Sequence, residues 1–72
     1  MHNMIVAYRH IKTKRYLACI YRCYDCEIAD TTKVREDAKK WKIRNSQAQR
    51  GFDKFRRKHR DQLREFEAVV IG

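Results

Sequence analysis

Between Lys39 and Arg60 the chain places Lys39, Lys40, Lys42, Arg44, Arg50, Lys54, Arg56, Arg57, Lys58 and Arg60, with Asp53 as the one acid among them. Ammonium and guanidinium groups at this density neutralise phosphates and release condensed counterions, which gives affinity for a polyanion without sequence preference. A helix that is merely solvated interleaves opposite charges at i, i+4. Here Asp53 and Arg57 fit that pattern, while Asp61 and Glu65 form a like-charged pair. Carboxylates attract arginine as phosphates do, so an acidic protein surface is the alternative target to DNA or RNA.

A second basic group, Lys12, Lys14 and Arg15, has Arg9 and Arg22 for neighbours. A basic turn beside a basic helix can hold two phosphate backbones. Tyr8, Tyr16, Tyr21 and Tyr24 interleave with these charges. Exposed, they would stack on unpaired bases; turned inward, they would build core. Tyr8 reads as core, and Tyr16 and Tyr24 stay open between the two roles.

Cys23-Tyr24-Asp25-Cys26 is a C-x-x-C. It supplies two of the four ligands zinc needs, and Cys19, His10 and His2 are the available completers. Cys19 and Cys23 stand four apart on an expected strand, about 13 Å from each other, too far to share a tetrahedral ion. A redox pair belongs at a helix N-terminus in a thioredoxin-like pattern, which this sequence lacks. The expectation is therefore ordinary thiols, with no metal and no cofactor. His59-Arg60-Asp61 imitates a kinase triplet, but no glycine-rich loop accompanies it. The expectation is a binding protein and not an enzyme.

The elements that must position these residues follow from hydrophobic spacing. Asn3 to Arg9 alternates apolar side chains, and so does Tyr16 to Tyr24, with a polar turn from His10 to Arg15 between them. This spacing predicts an antiparallel hairpin, its loop longer than two residues because no Asn-Gly or Asp-Gly is present. Asp25 to Thr32 reads as a boundary. Asp30 or Thr32 then caps a helix whose first turn holds Glu36 and Asp37. Val34, Ala38, Trp41, Ala48, Phe52, Phe55, Leu63 and Phe66 trace one apolar stripe. A single helix from Thr32 to Glu65 would run about 50 Å, far beyond ordinary helices. A break is expected between Asn45 and Gly51, where Ser46 and Gln49 match an S-x-x-Q capping box. Phe66 to Ile71 is β-branched and predicts a last strand that joins the hairpin. The fold class is α+β, in the order ββα(α)β: a β-hairpin, one long kinked or two consecutive basic amphipathic helices, and a C-terminal strand completing a three-stranded sheet. Trp41, Phe52, Phe55 and Phe66 are its expected core.

Seventy-two residues with 43% hydrophobic content allow one small domain, 1–72, and little room for a deep catalytic cleft. A net charge of +9 would suit a disordered chain as well, but regularly placed aromatics and the absence of proline point to a folded one. The apolar run Met4 to Tyr8 is too short for a signal peptide or a membrane span, and three cysteines suit no closed disulfide framework. A cytoplasmic protein with no membrane partner is expected.

The hairpin followed by Thr32-x-x-x-Glu36-x-Ala38-x-x-Trp41 resembles the small arm-type DNA-binding domain of phage integrases over residues 5–42. That resemblance implies a three-stranded sheet laid into a major groove. The chain departs from it in having two strands before the helix and a basic extension after it. In size and charge it is also similar to phage-encoded host-takeover factors. The leading expectation is a nucleic-acid-binding regulatory module that contacts phosphates through its basic helix. The alternative is an inhibitor or adaptor docking that helix on an acidic partner, a nucleic-acid enzyme among the candidates.

Overall fold

Alternation sets the central strand. In β1 (Met4–His10), Val6 and Tyr8 turn to the face that carries the helix and enter the core, while Ala7 between them is fully enclosed. The structure, a computed structural model, describes residues 3–72. After β1 come β2 (Tyr16–Cys23), β3 (Cys26–Thr32), a 3₁₀ turn at Arg35–Asp37, β4 (Trp41–Ile43), the helix α1 (Ser46–Lys58) and β5 (Phe66–Val70). All pairings are antiparallel. β5 lies along one edge of β1, with Ala7 opposite Val69 and Arg9 opposite Glu67. The other edge is shared: β4 pairs with Met4 to Val6, and β2 meets β1 at Arg9 and Tyr16. β2 then bulges between Leu17 and Cys19 and pairs along its length with β3. A bulge bends its strand, and this one frees β2 from β1 to carry β3 as an outer strand.

The fold class is α+β as expected, but the sheet has five strands, not three. Asp25 to Thr32 is no boundary. Tyr24 and Asp25 form a two-residue turn, and Cys26 to Thr32 is a strand. Tyr24 enters the turn at φ 57°, a left-handed conformation usually left to Gly or Asn, so the turn carries none of the usual sequence signals of a tight hairpin.

The helix expected from Thr32 is also absent. Arg35–Asp37 makes one 3₁₀ turn, with Val34 exposed and Ala38 buried. Beyond it the Lys39 amide donates to the Leu17 carbonyl (2.8 Å), so the chain is committed to the sheet. Trp41, Lys42 and Ile43 then follow the two-residue period, half-buried, exposed and buried. The integrase-like order of hairpin and helix therefore does not hold.

The core joins Val6, Tyr8, Leu17, Ile43, Phe52 and Leu63, with Ile20, Ala29, Trp41, Phe55 and Phe66 packed against them. Of the four expected core residues Phe52 is buried, and Trp41, Phe55 and Phe66 are half-buried. No helix among the described residues is long and apolar enough to cross a membrane.

Candidate functional site

Asn45 starts α1. Its Oδ1 accepts from the Ala48 amide at 2.9 Å, which satisfies one of the free N–H groups of the first turn. Ser46 is thus the first helical residue and not the cap. Gln49 does not close the expected box; its side-chain Nε2 donates to Asp53 Oδ1 at 3.2 Å. Gly51 lies inside the helix, exposed, and does not break it.

The inner face of α1 is fixed by aromatic packing. Phe52 stacks on Tyr8 at 5.0 Å between ring centroids, and Phe55 lies 4.8 Å from Trp41. Trp41 meets both Tyr8 and Phe52 edge-on at 5.3 and 5.2 Å. Such pairs add about 0.5–1.5 kcal/mol each beyond the area they bury. His59 closes the stripe, its ring 4.6 Å from Phe55 and its Nδ1 2.7 Å from Glu27 Oε2 on β3. The kinase-like histidine is thus a half-buried tie between the helix end and the β2–β3 hairpin.

With that face turned inward, helical spacing sends Arg50, Lys54 and Arg57 outward together, with Lys58 beside them, all exposed. The last turn holds Arg56, Arg57 and Lys58, the charge that suits a helix C-terminus. The helix stops at Lys58 and not at Glu65. His59 leaves helical geometry, and turns carry the chain so that Leu63 swings into the core.

Those turns shape a cleft of about 370 Å³, lined by Arg56, Arg60, Arg64, Asp61, Leu63 and Phe66. Among the described residues Arg56 and Arg60 have no ion pair or side-chain hydrogen bond. Arg64 approaches Asp61 only at 4.0 Å, both side chains more than four-fifths exposed. Arg64 is not among the residues expected from sequence, although Arg56, Arg60 and Arg64 recur at every fourth position.

The β1–β2 loop borders the same segment. The Ile11 amide donates to the Glu65 carbonyl (2.9 Å), and His10 Nε2 lies 3.3 Å from Glu65 Oε2. Lys12 and Lys14 in this loop are exposed. Arg15 is not free with them. Its Nε and Nη2 donate to the Thr31 hydroxyl and carbonyl at 2.9 and 3.1 Å, so it braces β2 against β3. Arg9 pairs with Glu67 at 2.8 Å; this hydrogen bond holds the carboxyl below its usual range and the guanidinium above.

Lys39, Lys40 and Arg44 flank β4. Lys39 Nζ sits over the Trp41 and Phe55 rings at 5.3 and 5.5 Å, and Lys40 Nζ donates to the Glu36 carbonyl at 2.7 Å. Arg44 is exposed just before the cap. The structure thus gathers Arg50, Lys54, Arg56, Arg57, Lys58 and Arg60 on one element and its exit turn, and gives Lys39, Lys40 and Arg15 intramolecular partners.

Tyr8 is core. Its hydroxyl is buried without a hydrogen-bond partner among the described residues, and its pKa is pushed up to about 12 by burial, with Arg56 opposing and Asp53 adding. Tyr24, by contrast, is 95% exposed at the tip of the β2–β3 hairpin, and Tyr16 is half-buried.

Cys23 and Cys26 face each other across the turn, and the Cys26 thiol donates to the Cys23 carbonyl at 3.3 Å. All three cysteines are free thiols. No cluster of three metal-binding side chains occurs among the described residues, and His2 lies outside them. Comparison with protein-family models gives no match, nor does comparison with curated proteins or with solved structures.

Proposed function

We propose that this chain is a small nucleic-acid-binding module of regulatory type, gripping phosphates with the outward side of α1 and the turn that follows. One observation carries the reading. Arg50, Lys54, Arg56, Arg57, Lys58 and Arg60 are all exposed, and none has an acidic partner among the described residues. Like charges crowded on a rigid element repel one another, and a polyanion relieves that repulsion while releasing counterions. Lys12 and Lys14 extend the surface from the adjoining loop.

The surface is poor in groups that read bases. Asn45 is spent on the helix cap and Gln49 is tied to Asp53, which leaves Gln47 exposed and Gln62 half-buried. Phosphate contacts position a protein without reporting sequence, so the preference among sequences should be modest. The test is a salt series with duplex DNA, single-stranded DNA and RNA. A steep linear fall of log affinity with log salt on one of them supports the proposal. No affinity for any of the three at low salt overturns it, and assigns the same surface to an acidic protein partner.

A further inference from the structure

We infer that the cleft between Arg56, Arg60 and Arg64 receives the terminal phosphate monoester of a nucleic-acid strand. The inference rests on the binding proposed above and adds a chain end as the ligand. Three arginines line one cleft of about 370 Å³, with Asp61 as the one acid on its lining. The lining charge is therefore +2. A phosphate monoester carries about −1.5 to −2 at neutral pH and so matches the cleft, whereas an internal diester brings a single charge.

Geometry favours an end in the same way. Guanidinium forks bind phosphate oxygens two at a time, and a monoester offers three terminal oxygens to three forks. An internal diester offers two, with chain continuing on both sides. The rest of the lining, Leu63 and half-buried Phe66, is apolar and aromatic. An aromatic ring beside the phosphate site gives the terminal sugar and base a surface to lie against. The size is in the range of small-ligand clefts, about 300 Å³ and upward. The arginines are available: Arg56 and Arg60 have no intramolecular ion pair among the described residues, and Arg64 is held only loosely by Asp61 at 4.0 Å.

The experiment measures fluorescence-anisotropy affinities for one labelled oligonucleotide in three forms: 5′-phosphate, 3′-phosphate, and hydroxyl at both ends. One phosphorylated form is expected to bind about tenfold tighter than the hydroxyl form, the worth of one charge-assisted contact at a solvated cleft. Which form wins tells which end is received. Arg64→Gln and Arg60→Gln should each bring that ratio close to one, with circular dichroism verifying the fold. Equal binding of all three forms overturns the inference and leaves the general binding standing. A phosphate preference that survives both substitutions overturns it as well, because the end is then read elsewhere. No binding of any form overturns this inference and the binding proposal together.

Discussion

The helix α1 and the β2–β3 hairpin are both two-faced elements, yet they turn opposite kinds of surface to solvent. α1 hides Phe52 and Phe55, with His59 tucked in at its cap, and shows five basic residues against Asp53 alone. The hairpin turns Ile20 and Ala29 toward the core and shows Tyr21, Tyr24 and Ile28. Its charges are mixed, with Arg22 against Asp25, Glu27 and Asp30. The helix is locked in rotation by rings stacked on Tyr8 and Trp41, while β3 is held by pairing to β2, the Arg15 contacts and the Glu27–His59 tie. The difference separates the work: rigid packing aims a dense positive surface, and the hairpin covers the core without adding to that surface.

The harshest way to break this contrast is to remove the packing that aims the helix. Phe52→Ala deletes a buried ring and should cost about 3–5 kcal/mol, comparable to the whole stability of a small domain. Loss of the cooperative thermal transition by circular dichroism is expected; a variant that melts like the parent would mean the rings do not hold α1.

A gentler change at the same place sharpens the point. Tyr8 is enclosed and its hydroxyl has no partner among the described residues, so Tyr8→Phe keeps the stacking and removes a desolvated group. Stability at neutral pH should hold or rise by about 1 kcal/mol. The folded-state pKa of about 12 lies above the ordinary value of 10.0, so the neutral form is favoured on folding. That contribution is complete below pH 10 and is lost as pH rises through about 12. Denaturant titrations from pH 8 to 12 should therefore show a steeper alkaline fall in the parent than in Tyr8→Phe. Parallel curves would place the tyrosinate in water.

On the hairpin the effect should be smallest. Tyr24 sits in left-handed backbone at φ 57° and is almost wholly exposed. Tyr24→Asn, a residue at ease in that conformation, should stabilise by about 0.5–1 kcal/mol. Nucleic-acid affinity should not change. A marked drop in affinity would give the hairpin tip a stacking role.

The contrast also explains what is legible in the sequence. Strands β1, β2 and β5 show themselves through alternating apolar residues, and their bounds lie within a residue or so of expectation. The apolar stripe from Trp41 to Phe66 does face inward, but it is not one helical system. Spacing alone cannot tell Trp41-Lys42-Ile43 as a strand from a helix turn, because three residues fit both periods. β3 is obscured by its acids and by a tyrosine where turn chemistry favours Gly or Asn. The basic helix face follows directly from sequence. The cleft does not, because Arg60 and Arg64 reach it only after the helix has ended and Leu63 has turned inward.

Salt slopes measured side by side decide whether the outward face of α1 is the contact surface. The parent, an Arg50→Gln, Lys54→Gln, Arg57→Gln triple variant, and Tyr24→Asn would be titrated with the nucleic acid that binds best. Removing one neutralised phosphate lowers the slope by about 0.9 for duplex DNA or about 0.7 for a single strand. The triple variant should therefore have a slope shallower by roughly 2 to 3 while keeping its melting transition, and Tyr24→Asn should match the parent. Identical slopes for all three proteins would contradict the account.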